Sequence, residues 1–203
     1  MTVPKSRLTD AAGAMDAAAE IGFPVVAKVA RPVLAHKTEA GAVSLNLASR
    51  AAVRSAISAM TASVARHQAG MTAERFLIER QLTGAVAELI IGVKRDETFG
   101  LSLLIGAGGI LVEMVRDAAN LLLPTNRSAV EQAIQGLRIA KILNGYRGKP
   151  AGDVEAVVNA VMAVADFAER NRGRLVELDV NPLLVLPKGQ GAVAVDALVV
   201  MAG

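Results

Sequence analysis

The sequence has no cysteine or tryptophan, and its 203 residues include only one tyrosine, four phenylalanines and two histidines. The lack of cysteine excludes disulfides, thiolate catalysis and cysteine metal sites, and it is typical of a reducing compartment. Two histidines make a histidine-rich zinc site unexpected. Aromatic side chains for stacking on bases are few, and the net charge of +3 is carried by scattered basic residues. The chain is therefore not expected to bind nucleic acid.

Long uncharged stretches are also missing. Although 53% of the residues are apolar, no long apolar run lacks charge, so a membrane span is not expected. The first residues contain no apolar run of signal-peptide length. The sequence therefore predicts a cytoplasmic protein with no membrane partner.

Helical and strand patterns follow one another and predict an α+β fold in two lobes, at residues 1–75 and 76–203. Val53, Ile57, Met60 and Val64 recur at helical spacing and predict a helix from about residue 51 to 67. Strand runs are predicted at 25–30, 44–47, 76–79, 87–94, 100–105 and 110–115, and the chain closes with two strands around a glycine-rich turn.

The last predicted hairpin concentrates oxygen-bearing side chains on one face. Because side chains alternate along a strand, Glu177, Asp179 and Asn181 share a face. A turn centred near Gly189 places Asn181 roughly opposite Asp196. Carboxylate and amide oxygens suit Mg²⁺, which takes one or two protein ligands and completes its shell with water and phosphate. The alternative is an ordinary solvated face of an edge hairpin.

Three charged residues lie within apolar strands or at the end of one, and each has two interpretations. Lys28 either binds nucleotide phosphates as a cation or lies on the solvent-exposed side of a half-buried strand. Glu79 and Glu88 either accept hydrogen bonds from a nucleotide or are simply exposed.

Two loops also have two interpretations each. The run Gly106-Ala107-Gly108-Gly109 either brings backbone amides to a phosphate or makes a tight turn, and the strand predicted after it excludes a dinucleotide-binding loop. His36 lies in a polar loop, where a histidine is either a phosphoryl carrier or a surface residue.

Taken together, several segments resemble the ATP-grasp domain of ADP-forming (NDP-forming) acyl-CoA synthetases of the acetyl-CoA synthetase type, which are related to succinyl-CoA synthetase. The resemblance covers nearly the whole chain. Its motifs are GFPVVAK at 22–28, HKTEAG at 36–41, AELIIGVKRD at 87–96, GAGGILVE at 106–113, GYRG at 145–148 and ELDVNPL at 177–183.

The resemblance implies a nucleotide, ATP or ADP, bound between the two lobes. Lys28 matches the lysine that holds the phosphates, Glu79 falls where adenine is gripped, and Glu88 matches the acid of the E-L-x-x-G motif. The glycine motif adds its own nucleotide-binding positions, which are Gly108, Gly109 and Glu113.

It also implies a magnesium ion and a phosphoryl carrier. Asn181 and Asp196 match the two Mg²⁺ ligands, and Asp179 matches an acid near the transferred phosphoryl group. His36 matches a histidine proposed as a second phosphoryl carrier, although Ala42 stands where the family usually has a second glycine.

The implied activity is the nucleotide half-reaction of acid + ATP + CoA ⇌ acyl-CoA + ADP + phosphate. The chain contains neither a CoA-binding domain nor the domain with the main phosphohistidine, so an α-type CoA-binding partner subunit or domain is expected. The alternative is a non-catalytic nucleotide-sensing domain of a regulatory protein such as an acetyltransferase fusion.

Overall fold

The computed structural model describes residues 1–30, 41–67, 72–108 and 117–203. The chain divides into two compact units. One consists of Pro4–Thr83, and the other of Met1–Val3 together with Gly84–Gly203. The unit boundary therefore lies after residue 83 and not between residues 75 and 76 as predicted.

The first unit is an antiparallel four-stranded sheet with two helices. Its elements are β1 Ser6–Thr9, α1 Ala14–Ile21, β2 Val25–Val29, β3 Val43–Leu47, α2 Arg50–His67 and β4 Phe76–Arg80. The strand order is β1-β4-β2-β3. Because β4 pairs with both β1 and β2, it is an interior strand of this unit, and this pairing is the reason for the corrected boundary.

The helices of this unit bury one face against its sheet. The predicted stripe on α2 is confirmed, since Val53, Ile57, Met60 and Val64 are all buried. They pack in one core with Val25, Ala27 and other residues of the sheet and α1. No helix in the described ranges combines the length and the apolar character needed to cross a bilayer.

The second unit is a six-stranded antiparallel sheet with helices. Its strands are β5 Ala87–Asp96, β6 Gly100–Ala107, β7 Ala118–Leu122, β8 Leu175–Val185, β9 Ala192–Ala194 and β10 Ala197–Met201, and its helices are α3 Arg127–Gly136, α4 Ala140–Leu143 and α5 Val154–Arg170. The strand order is β10-β8-β5-β6-β7, and β9 pairs with β8. The mixture of antiparallel sheets and helices confirms the predicted α+β class.

β1 and β7 were not predicted, the last predicted strand is divided into β9 and β10, and one prediction lies outside the described residues. β1 is short and mostly polar, with Thr9 as its one β-branched residue, and β7 is the segment AANLL, which has no β-branched or aromatic residue, so both carry little strand signal. The strand predicted at 110–115 falls in the range 109–116, which is not described.

The sheet of the second unit is buried on one face only. Alternate residues of β5 and β6 are buried in the core with α3 and α5, namely Leu89, Ile91, Val93, Leu101, Leu103 and Ile105. The intervening residues of β5, such as Glu88 and Lys94, are less buried or exposed. We call this second side the open face.

Asp153 connects helix α5 to the turn of the C-terminal hairpin. Its Oδ1 atom accepts a hydrogen bond from the Ala156 amide at 3.1 Å, which caps the helix. Its Oδ2 atom accepts from the amides of Gly189 and Gly191, both at 2.9 Å. Burial opposes ionisation of Asp153, but these amide hydrogen bonds and the charge of Lys188 outweigh it and lower the pKa of the carboxyl.

We therefore expect Asp153→Ala to lower the free energy of unfolding by about 1–2 kcal/mol. A lowered pKa means that this stabilisation is present above the unfolded value of 3.8 and is lost as the pH falls through the folded value. The difference between wild type and variant, measured by urea unfolding at several pH values, should therefore shrink in acid.

The matched control is Asn126→Ala, because Asn126 caps α3 through the Ala129 amide. Hydrogen exchange at Gly189 and Gly191 should accelerate in Asp153→Ala and stay unchanged in Asn126→Ala. Equal exchange in both variants would contradict the anchoring role.

Candidate functional site

The C-terminal hairpin has the predicted register. Val180 lies opposite Ala197, and Leu183 lies opposite Ala194. Between these pairs, the Asn181 amide donates a hydrogen bond to the Asp196 carbonyl at 3.1 Å. The prediction that Asn181 and Asp196 lie across from each other is therefore confirmed.

The hairpin presents its acids on the open face of the second unit. Leu178 and Val180 are buried, whereas Glu177 and Asp179 are half-buried and Asn181 is exposed. This alternation confirms that the three polar residues share one face. It also brings them to the same side of the sheet, with Asp179 between the other two.

Negative charge accumulates around Asp179. Burial is the largest cause of a raised pKa at this carboxyl, and the charges of Glu177 and Asp196 add to it. Asp196 itself accepts a hydrogen bond from the following amide, that of Ala197, at 3.0 Å. A cation at this place would relieve the repulsion among the carboxylates.

The donor set fits a magnesium ion that shares its shell with phosphate. No group of three or more His, Cys, Asp or Glu side chains placed to hold a metal occurs among the described residues. Mg²⁺ needs no such cage, because it retains water and substrate phosphates and takes one or two protein oxygens. The side-chain amide oxygen of Asn181 and the carboxylate of Asp196 are two such protein oxygens.

In the first unit, Lys28 and Glu79 form an ion pair. They project from neighbouring strands, where Val26 faces Glu79 and Lys28 faces Leu77. Lys28 is 9% exposed and Glu79 is 6% exposed. The interpretation of either residue as an exposed side chain on a wet strand face is therefore wrong, and the structure brings the two predicted nucleotide-binding residues together.

The other predicted nucleotide contacts divide into described and undescribed residues. Glu88 is exposed on β5. The Gly108 amide donates to the Glu88 carbonyl at 2.7 Å, and a Cβ atom at Gly108 would lie 2.9 Å from the Glu88 carbonyl carbon. Gly108 thus has a packing role against β5, and its phosphate contact stays a prediction. His36, Gly109 and Glu113 lie outside the described residues.

A cleft that the sequence analysis did not predict continues from Asp179 across the open face. It has a volume of about 500 Å³, and its lining includes Gly92, Lys94, Ser102, Asn120, Glu177 and Asp179. We call it the β5–β6–β8 cleft. The sequence did contain a signal for this cleft, because side chains alternate along a strand and residues 92 and 94 therefore share a face with Glu88.

Comparison with known proteins gives one family for the whole chain. Residues 1–201 match the ATP-grasp domain family. The β subunit of the ADP-forming acetate–CoA ligase II of Pyrococcus furiosus is 31% identical over all of this chain and 86% of that subunit. The ADP-forming 4-hydroxybutyrate–CoA ligase of Nitrosopumilus maritimus is 34% identical over 97% of this chain, which spans 28% of that relative's length.

Solved structures of similar sequence have the same fold as this chain. The dinucleotide-forming acetyl-coenzyme A synthetase 1 of Ca. Korarchaeum cryptofilum superimposes with a TM-score of 0.80 at 32% identity, over 98% of this chain and 85% of that one. That structure is a complex with coenzyme A and Mg-AMPPCP, with its phosphohistidine segment pointing towards the nucleotide-binding site. PH1788 from Pyrococcus horikoshii OT3 superimposes with a TM-score of 0.91 at 29% identity, over 99% and 85% of the two chains.

The Lys28–Glu79 pair leads to a prediction about stability. Lys28→Met or Glu79→Gln alone should lower the free energy of unfolding by about 3–5 kcal/mol, because each removes one partner from a buried ion pair. The double variant should lose less than the two single losses together, with a coupling of about 1–3 kcal/mol measured by urea unfolding.

Arg7 and Glu20 provide the matched control, since they form an exposed ion pair in the same unit. The corresponding Arg7→Met and Glu20→Gln changes should each cost less than about 1 kcal/mol. Additive losses at Lys28 and Glu79 would show that the pair does not stabilise the first unit.

Proposed function

The chain belongs to the ATP-grasp domain family, which includes the β subunit of an ADP-forming acetate–CoA ligase, and on that premise we propose that it carries out the nucleotide half-reaction of an ADP-forming acyl-CoA synthetase. The full reaction is acid + ATP + CoA ⇌ acyl-CoA + ADP + phosphate. This chain binds magnesium and the nucleotide, and an α-type CoA-binding subunit or domain provides the remainder.

The observation that carries this proposal is the hairpin on the open face. Asn181 and Asp196 lie across from each other, and Asp179 lies two residues before Asn181 on the same face of β8. An amide and a carboxylate in this arrangement match the ligand preference of Mg²⁺. Asn181 and Asp196 would hold the ion, which would supply positive charge to the nucleotide phosphates.

The first unit contributes charge from a different strand pair. Lys28 contacts the phosphates as a point charge, and Glu79 holds the ammonium group in place and accepts a hydrogen bond from the adenine amino group. Glu88, exposed on β5, accepts from the ribose hydroxyls. Gly108, Gly109 and Glu113 complete the nucleotide contacts.

The chemical step is phosphoryl transfer between ATP and a histidine. A neutral imidazole nitrogen attacks the γ-phosphorus, a P–N bond forms, and the bond to the β,γ-bridging oxygen breaks to leave ADP. The ring then releases the proton of its other nitrogen, which balances the reaction. Asp179 lies beside this step, the histidine comes from the CoA-binding partner, and His36 acts as a second carrier.

The proposed metal site predicts magnesium-dependent nucleotide binding. Calorimetric titration of the wild type with ATP should show tighter binding with Mg²⁺ than with EDTA. In Asp196→Ala the gain from Mg²⁺ should fall by at least about 10-fold, because even residues that only support metal ligands contribute that much. Equal affinity with and without Mg²⁺ would contradict the site.

The control for this titration is Asp166→Ala. Asp166 is an exposed carboxylate on α5, which lies in the same unit. Its removal should leave both the ATP affinity and its magnesium dependence unchanged. A similar loss in both variants would indicate a general effect of net charge.

Transfer is tested with [γ-³²P]ATP, Mg²⁺ and the complex with the CoA-binding subunit. We expect acid-labile, base-stable label on a histidine of the partner or on His36, and no label when Asp196 is replaced by Ala. A chain that binds Mg-ATP but never labels a histidine would instead be a nucleotide-sensing domain, and the enzymatic proposal would fail.

A further inference from the structure

The β5–β6–β8 cleft continues the open face on the side of Asp179 that is remote from Asn181 and Asp196. Along the antiparallel pair β5–β8, Asp179 faces Gly92, and Glu177 faces Lys94. These two rows are two residues apart, which is roughly 7 Å along a strand. The metal-binding pair therefore lies to one side of Asp179, and Lys94 lies to the other.

Gly92 leaves a gap beside Asp179. A Cβ atom at position 92 would lie 3.8 Å from the nearest atom, Leu104 Cβ, and 3.9 Å from Asp179 Oδ1. Both are ordinary contact distances, and Gly92 is not among the glycines with positive φ. Neither packing nor backbone conformation requires glycine here. The missing side chain instead leaves space in front of the Asp179 carboxylate.

Two cations line the cleft, Lys94 and Arg95, and only Arg95 connects elements of the fold. The neighbouring Arg95 donates to the carbonyls of Leu175 and Arg172 and so ties β5 to the segment after α5. Lys94 is exposed. Across the ranges that the structure describes, it forms no ion pair, although Glu177 faces it directly.

We propose that Lys94 binds the phosphoryl group on the acceptor side of Asp179 during transfer, with the space at Gly92 admitting the acceptor imidazole. This role rests on the proposed function. A phosphoryl anion entering the cleft meets the carboxylates of Glu177 and Asp179, which repel it. Lys94 offsets that repulsion with a flexible point charge placed where negative charge develops.

The test is single-turnover transfer of label from Mg-[γ-³²P]ATP to histidine in the complex with the CoA-binding subunit. Lys94→Ala should lower the transfer rate constant by about 100-fold, while the calorimetric affinity for Mg-ATP stays within about 2-fold of wild type. Lys94→Arg should recover at least a tenth of the wild-type rate, because it keeps the charge.

Lys141→Ala is the matched control, since Lys141 is an exposed lysine on α4 of the same unit. It should transfer at the wild-type rate. Urea unfolding of Lys94→Ala should match wild type, because the side chain is exposed, and Lys94→Gln provides a second neutral variant if it does not.

A double variant that also changes Glu177 distinguishes a direct role of Lys94 in transfer from an indirect one. If Lys94 only neutralised Glu177, adding Glu177→Gln to Lys94→Ala would restore transfer, whereas we expect the double variant to stay slow. Wild-type transfer in Lys94→Ala, or full recovery in the double variant, overturns the inference and leaves the proposed function intact. Absence of label in the wild type overturns both.

Discussion

The pairing register of β8 is the constraint on which the second unit depends. Val180 faces Ile91 on one neighbour and Ala197 on the other, and all three strands are antiparallel. Because side chains alternate with a period of two, a slip by one residue would turn Val180 to the open face and bury Asp179. The core beneath β8 therefore fixes which oxygens face the site. Hydrophobic burial on one face specifies the chemistry on the other.

The two units handle charge in different ways. In the first unit, Lys28 and Glu79 are both buried and neutralise each other, since an unpaired charge in such a place would be costly. In the second unit, Glu177, Asp179 and Asp196 repel one another, and the pKa of Asp179 is raised mainly by its burial and further by this repulsion. An ion pair supports the first unit, whereas the second brings carboxylates close together, an arrangement that favours binding of a cation.

Sequence reasoning succeeded where a local pattern was strong. The α2 stripe and the hairpin both follow from periodicity, and the structure has them where they were predicted. It failed for β1 and β7, whose residues carry little strand signal, because these strands form by pairing with β4 and β6. The unit boundary was misplaced for the same reason, since only the pairing of β4 with β1 and β2 assigns it to the first unit.

For this protein, the sequence by itself determined the family motifs, the α+β class and the opposition of Asn181 to Asp196, because these depend on neighbours along one chain segment. Tertiary structure alone decided that Lys28 pairs with Glu79, that Lys94 faces Glu177 and that Gly92 opens a space beside Asp179. These contacts join strands far apart in sequence. Which strands lie side by side depends on how the whole sheet buries its apolar face, and no local pattern contains that information.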